Sequence, residues 1–199
     1  MIKKIINKIK STPKDIKIVY LISIISILID QLTKILVMFN LDIGKEIVII
    51  PNFFSLMYIT NTGAAFSSLR NHTTLLIIIT IFCIALINSI ITKEKYKYKL
   101  SILSLGILFG GMIGNLIDRV FYKNVIDFLA FTLINYKAPV FNIADICITC
   151  GVIIYIAINI YDEIIEKKNN TCYNRQQEKN KGTIINKKGD KHDKSRRSR

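Results

Sequence analysis

The sequence predicts a polytopic α-helical membrane protein with four transmembrane helices and with both termini in the cytoplasm. Three observations predict this class. The 199 residues are 51% hydrophobic and their mean hydropathy is +0.37, which is high for a soluble domain. Four segments each have about the 20 mostly apolar residues that a membrane crossing requires. The basic residues are concentrated in some of the connections between these segments and are sparse in the others.

The four predicted spans are residues 18–37, 73–92, 100–117 and 143–160. The second span contains no charged residue, the third is flanked by charge at its polar end, where Asp118 and Arg119 follow it, and the fourth carries charge only near its start. The first span contains Asp30 and Lys34. A chain of this length has room for one such membrane domain and not for several domains.

Basic residues mark the side of the membrane on which each connection lies. Lysines crowd the segment before the first span, the segment after the fourth, and the short link that holds Lys93, Lys95, Lys97 and Lys99. Positive charge collects on the cytoplasmic side, so both termini are predicted to be cytoplasmic, and this requires an even number of spans. The formal net charge of +14 is therefore attributed to topology, and no nucleic-acid partner is predicted.

The chain divides into two parts at residue 161. Residues 1–161 hold the four spans and are predicted to form one membrane domain. Residues 162–199 are rich in Lys, Asn, Arg and Ser, which predicts a basic, disordered cytoplasmic tail.

Unusual polar residues all fall at one predicted depth, near the outer leaflet. They are Asp30, Lys34, Asn115, Asp118, Arg119, Asp127, Asn142 and Asp145. A charged side chain at mid-membrane costs about 2.5–3.5 kcal/mol on insertion scales, and less near the interface. A set of such residues is therefore expected to be paired or to be used.

Several of these residues also have a purely structural explanation. Asp30 and Lys34 are separated by four positions, so they share a helix face and can form an ion pair. Asn142 and Asp145 have the spacing of an N-cap residue with an acid at the third helical position. Asp127 has the weakest structural explanation, because it lies among apolar residues in the connection after the third span.

The third span ends in polar residues whose directions differ. Asn115 lies about one turn before Arg119, so the two share a face, whereas the adjacent Asp118 points elsewhere. Gly106, Gly110 and Gly114 recur at every fourth position of the same span. This spacing of small residues allows another helix to pack closely, and it would bring the first or fourth span beside Asn115 and Arg119.

The long connection between the first two spans predicts a β-rich extracytoplasmic cradle. Residues 47–68 are rich in β-branched and aromatic residues, which favour strands. The stretch "NTGAAF" (61–66) predicts a turn lined by small residues. Gly63 in this turn permits close approach of a ligand, although an ordinary turn is the simpler interpretation.

Two carboxylates, Asp127 and Asp145, are available for proton transfer. If they meet, they cannot both ionise readily, so one proton is shared between them. No serine nucleophile motif and no metal-ligand spacing are present in the sequence. The residues alone leave open a membrane enzyme, a proton- or ion-coupled transporter, and a non-catalytic assembly factor.

Five motifs occur in order along the chain, and together they resemble the lipoprotein signal peptidase family, signal peptidase II. They are "DQLTK" (30–34), "NTGAAFS" (61–67), "GNLIDR" (114–119), "VIDF" (125–128) and "FNIAD" (141–145). The resemblance implies an integral aspartic endopeptidase of the bacterial cytoplasmic (inner) membrane, with four spans, an extracytoplasmic β-cradle, and neither cofactor nor metal. The resemblance covers about residues 17–161, and residues 1–161 are accordingly predicted to be the membrane peptidase domain.

The resemblance also implies a substrate and a set of site residues. The substrate is a prolipoprotein whose lipobox cysteine carries a diacylglyceryl group, and cleavage occurs just before that cysteine. Asp127 and Asp145 match the catalytic pair. The residues that match binding or supporting positions are Asp30, Lys34, Asn61, Gly63, Asn115, Asp118, Arg119 and Asn142. Membrane lipids are the other expected partners, and the protein is predicted to be a monomer.

Overall fold

The structure is a computed structural model that describes residues 14–63, 72–93, 98–133 and 136–168. Within these ranges four helices are long and apolar enough to cross a membrane: α1 (Lys14–Asn40), α2 (Thr73–Lys93), α3 (Lys99–Tyr122) and α4 (Ile143–Lys168). They confirm the four predicted helical spans. Helix α4 continues past residue 161 into the predicted tail. Residues 169–199 lie outside the described residues, so the prediction for them stays a prediction.

Four strands form one antiparallel sheet in the order β1-β2-β3-β4. Strands β1 (Glu46–Ile50) and β2 (Phe54–Asn61) lie between α1 and α2, as predicted. Strands β3 (Val125–Leu133) and β4 (Tyr136–Lys137) lie between α3 and α4. The sheet is therefore not confined to the first connection. The segment that holds Asp127 is its third strand, because it pairs with β2 along most of its length.

Helices α1 and α3 run parallel and pack through the predicted glycine positions. A Cβ added at Gly110 would lie 2.7 Å from the carbonyl oxygen of Ser23, and one at Gly114 would lie 2.5 Å from Oδ2 of Asp30. Only glycine permits this close approach, which confirms the predicted packing role. On another face of α3, a Cβ at Gly111 would lie 2.5 Å from the carbonyl oxygen of Ala144, in the first turn of α4.

Two apolar clusters hold the elements together in the unit formed by residues 1–155. The larger cluster joins α1, α2 and α3, and its buried members are Ile16, Val19, Ile91, Ile102, Leu105 and Phe109. The smaller cluster, Val37, Leu41 and Phe128, fixes the sheet to the C-terminal end of α1. The second unit, residues 156–199, contains the remaining turns of α4, which carry an exposed ion pair between Lys167 and Glu163 at 2.6 Å.

Candidate active site

The candidate active site lies where the ends of three helices meet the sheet. The structure brings together the residues that the sequence predicted for it. These are Asp30 and Lys34 on α1, Asn61 and Gly63 at the end of β2, Asn115, Asp118 and Arg119 on α3, Asp127 on β3, and Asn142 and Asp145 at the start of α4. Sequence positions more than 100 residues apart therefore contribute to one network, as in the hydrogen bond from the Ala144 backbone on α4 to Asp30 on α1.

Asp127 and Asp145 are linked through a single asparagine. The side-chain amide of Asn142 donates to Oδ1 of Asp127 at 2.7 Å. The backbone N–H of Asn142 donates to Oδ2 of Asp145 at 3.2 Å. The two carboxyl groups are close enough for the charge of Asp145 to affect Asp127. They therefore form a coupled pair whose protonation has to be considered together.

Asn142 and Asp145 also cap α4. The backbone N–H of Asp145 donates to Oδ1 of Asn142 at 2.9 Å, which is the reciprocal of the bond from the Asn142 backbone. Such a pair satisfies two N–H groups that have no partner within the helix. A carboxylate in the first turn also lies at the positive end of the helix dipole. The predicted capping role is confirmed, and it leaves Asp145 available for chemistry.

Each carboxyl group of the pair has one further amide donor. Asn61 Nδ2 donates to Oδ2 of Asp127 at 3.1 Å, and Asn115 Nδ2 donates to Oδ1 of Asp145 at 2.8 Å. In the described part of the chain, neither acid forms an ion pair within 4.0 Å. Neutral amides orient both carboxyl groups, so neither acid is committed to a fixed cation.

The environments of the two acids differ. Asp127 is 3% exposed, whereas Asp145 is half-buried. Burial, and after it the charge of Asp145, raise the pKa of Asp127 to about 7, while the hydrogen bonds from Asn61 and Asn142 act in the opposite direction. Asp127 therefore keeps a proton to near-neutral pH, which suits a group that donates a hydrogen bond or a proton.

Arg119 holds the turn that follows β2. Its Nη2 donates to the carbonyl oxygen of Gly63 at 3.4 Å, and its Nη1 donates to the carbonyl oxygen of Asn115 at 3.3 Å. The backbone N–H of Gly63 in turn donates to Oδ1 of Asn61 at 2.9 Å. Arg119 thus fixes a turn that orients the amide bound to Asp127.

Lys34, Asp30 and Asp118 form a buried ionic cluster beneath the acid pair. Lys34 Nζ lies 2.8 Å from Oδ2 of Asp30 and 2.7 Å from Oδ2 of Asp118. A third bond, to Oδ1 of Asn115 at 3.1 Å, uses the last donor of the ammonium group. All three charged side chains are almost fully buried, so each depends on the others for compensation. The predicted pairing of Asp30 with Lys34 is confirmed.

The ionic cluster is bonded to the backbone of both elements that carry the acid pair. Asp30 Oδ1 accepts the backbone N–H of Ala144 at 2.8 Å, in the first turn of α4. Asp118 Oδ2 accepts the backbone N–H of Ile126 at 3.2 Å, next to Asp127 on β3. The cluster therefore fixes the relative positions of Asp127 and Asp145.

Gln31 belongs to this network and was not among the predicted site residues. Its Nε2 lies 3.0 Å from Oδ1 of Asp118 and 3.2 Å from Oδ2 of Asp30. It also donates to the carbonyl oxygen of Gly114 at 3.2 Å. A polar residue inside the "DQLTK" stretch of a span was the signal that could have identified it.

The fold and the site together define a polytopic membrane protein with an acid–base site of the type that hydrolases use. Residues 22–161 match the family model described as signal peptidase (SPase) II. A lipoprotein signal peptidase of Symbiobacterium thermophilum is 41% identical over 131 residues, which cover 66% of this chain and 86% of that protein. One from Listeria monocytogenes is 38% identical over 144 residues, which cover 72% of this chain and 94% of that protein.

Solved structures show the same likeness. A bacterial membrane enzyme superposes with a TM-score of 0.69 at 32% sequence identity, and the match covers 73% of this chain and 88% of that chain. The chain belongs to the signal peptidase II family, and it is therefore a member of a family of peptidases. The resemblance that the five motifs predicted is confirmed.

Proposed function

We propose that the protein is an aspartic endopeptidase that removes the signal peptide from diacylglyceryl-modified prolipoproteins, cutting just before the lipidated cysteine. The observation that carries the proposal is the pair Asp127 and Asp145, linked through Asn142 and oriented by neutral amides. The relatives named lipoprotein signal peptidase support the substrate class.

The acid pair can catalyse peptide hydrolysis without a covalent intermediate. The ionised acid takes a proton from a water molecule, whose oxygen bonds to the scissile carbonyl carbon. The protonated acid gives its proton to the carbonyl oxygen, which yields a neutral gem-diol. When the gem-diol collapses, the C–N bond breaks and the nitrogen takes up a proton from the pair. The products are the carboxyl end of the signal peptide and the amino group of the lipidated cysteine.

The residues around the pair have supporting roles in this proposal. Asn61 and Asn142 orient the acids, and Asn61, which is only half-buried, also offers its amide group to an extended peptide backbone. Arg119 lies within electrostatic reach of both acids and fixes the turn at Gly63, which leaves room for small lipobox side chains. Asp30, Lys34, Asn115 and Asp118 hold the elements that carry the pair.

The proposed setting is the bacterial cytoplasmic (inner) membrane, with both termini in the cytoplasm and the site near the outer leaflet. The distribution of basic residues supports this orientation. A diacylglyceryl cysteine keeps its acyl chains in the outer leaflet, so the bond to be cut lies at the depth where the polar residues gather. The enzyme is proposed to act as a monomer without a cofactor or metal.

A direct assay tests this function. Purified protein in detergent is incubated with a diacylglyceryl-modified prolipoprotein and, in parallel, with the same prolipoprotein lacking the lipid. Cleavage is expected only for the lipidated form, and the mass of the product should place the cut directly before the cysteine. Cleavage at another bond, or equal cleavage of both forms, would contradict the proposed specificity.

The activity is expected to fall as the pH rises above about 7. The reaction needs one proton on the acid pair, and the raised pKa of Asp127, about 7, means that this proton is lost above neutral pH. The quantity kcat/KM should therefore decrease about tenfold per pH unit on the alkaline side. Assays in buffers of constant ionic strength measure it, and a flat profile to pH 9 would contradict the assignment of Asp127.

A further inference from the structure

The two acids of the pair differ in what surrounds them. Asp127 on β3 is almost fully buried, and both of its side-chain partners, Asn61 and Asn142, are neutral amides. Asp145 is half-buried and lies in the first turn of α4, at the positive end of the helix dipole, and its Oδ2 accepts the backbone N–H of Asn142. This difference favours Asp145 as the acid that carries the negative charge, since an ionised carboxylate is stabilised more at Asp145 than at Asp127.

A chain of hydrogen bonds connects Lys34 to Asp145. Lys34 Nζ donates to Oδ1 of Asn115 at 3.1 Å, and Nδ2 of Asn115 donates to Oδ1 of Asp145 at 2.8 Å. The amide of Asn115 is held in this orientation because Asn142 also donates to its oxygen, at 3.2 Å. A cation on the amide oxygen polarises the amide, so that its N–H becomes a stronger donor to a carboxylate.

We propose that Lys34 is a positioning residue that acts through Asn115 to keep Asp145 as the ionised member of the pair. Asp145 then takes the proton from water, and Asp127 supplies the proton to the scissile carbonyl oxygen. This inference rests on the proposed function. Lys34 touches no reacting atom, because its three donors are used by Asp30, Asp118 and Asn115.

Changing the net charge of the ionic cluster tests this inference, because adding and removing negative charge should have opposite effects on the acid pair. Lys34 is one cation between two buried carboxylates, so the ionised cluster has a net charge of −1. Lys34→Gln makes it −2, and Asp118→Asn makes it 0. The double variant Lys34→Gln/Asp118→Asn returns it to −1. A residue that served only to hold the fold would destabilise the protein when replaced, but it would not produce effects of opposite sign.

Other ionisable groups surround the pair. Lys34 from α1 acts on Asp127, and Arg119 from α3 acts on both acids. Asp30 and Asp118 pair with Lys34, and behind them Cys147 from α4 interacts with Asp30 and Tyr58 from β2 interacts with Asp118. Arg119 is directed to the carbonyl oxygens of Asn115 and Gly63 and is present in all variants. Its influence is therefore common to every comparison.

The experiment measures kcat/KM against pH for the wild type and the three variants, with the lipidated prolipoprotein as substrate. The acidic limb, which reports ionisation of the base, should move to higher pH by about one unit in Lys34→Gln. It should move to lower pH in Asp118→Asn and return close to the wild-type position in the double variant. The alkaline limb should follow in the same directions, because Lys34 also acts on Asp127.

Lys45→Gln is the matched control. Lys45 pairs with Asp42 at 3.1 Å, but both side chains are largely exposed, so the same change of charge is screened by solvent and should move neither limb. If Lys34→Gln does not fold, Asp118→Asn and the double variant still decide the question.

Each outcome is decisive. An acidic limb that stays in place in all folded variants, or that moves the same way in Lys34→Gln and Asp118→Asn, overturns the inference while leaving the proposed function intact. Absence of cleavage by folded wild-type protein overturns both.

Discussion

Replacing Asp127 or Asp145 by Asn should lower the rate of prolipoprotein cleavage by about 10³-fold or more. The substitution keeps the shape of the side chain but removes the ability to take up or release a proton in the reaction. Because the two acids act as one unit, the double variant should be little worse than either single variant. The measurement is the first-order rate of cleavage at saturating enzyme, followed by the shift in product mobility.

Unfolding could also explain a loss of activity, and the stability of the Asp127→Asn variant tests that explanation. The pKa of Asp127 is raised in the folded state from its ordinary value of 3.8 to about 7. Its contribution to stability is therefore fully present below pH 4 and is lost as the pH rises through 7. The Asn side chain of Asp127→Asn cannot ionise, so this loss of stability does not occur in the variant. It should be no less stable than the wild type at pH 8.

Asp42→Asn is a suitable control for the acid variants. Asp42 lies just before the sheet, its side chain is 87% exposed, and its ion pair with Lys45 is solvated. Cleavage by this variant should equal that of the wild type. Near-normal turnover by either Asp127→Asn or Asp145→Asn in folded protein would exclude the acid pair as the catalytic group.

The helices were predictable from the sequence because the membrane imposes a length and a composition that local residues alone satisfy. The ends of the helices were less predictable. The third span was predicted to end at residue 117, where polar residues begin, but α3 continues to Tyr122. The polar side chains of Asn115 and Asp118 are buried against α1 and α4 and not in lipid, so they do not end the helix.

Strand β3 was not predictable in the same way. "VIDFLAF" lacks the alternation of a half-buried strand, because residues 125–128 are buried on both faces. What defines it is pairing with β2, whose residues lie more than 60 positions earlier in the chain, as for Ile59 and Asp127. Such non-local pairing leaves little trace in a short window of sequence.

The residue types of the site were predictable, but its connections were not. The spacings of Asp30 with Lys34 and of Asn142 with Asp145 are local, and both predicted contacts are present. The bonds from the backbone of Ala144 to Asp30 and of Ile126 to Asp118 have no local signal, because any residue can supply a backbone N–H. These bonds join the acid pair to the membrane helices.

Gly111→Ala should lower both stability and catalysis, because it acts on the first turn of α4. The added Cβ would lie 2.5 Å from the carbonyl oxygen of Ala144 and 3.0 Å from Cβ of Cys147. Backbone cannot yield as a flexible side chain does, so α4 must shift away from α3. We expect a loss of about 1–3 kcal/mol in the free energy of unfolding from this overpacking.

The same shift should separate Asp145 from Asn115 and change its position relative to Asp127. Misplacement of a catalytic group by about 1 Å costs about 100-fold in rate, so kcat/KM per folded molecule should fall by that order. Gly106→Ala is the matched control, since its Cβ would lie 2.7 Å from Cβ of Ile22, about one and a half turns further from the site. Gly106→Ala should lower the free energy of unfolding by a similar amount, whereas its kcat/KM per folded molecule should equal that of the wild type. Equal loss of activity in both variants would show that the effect is general disruption of the fold, and that catalysis does not depend on how α4 is seated against Gly111.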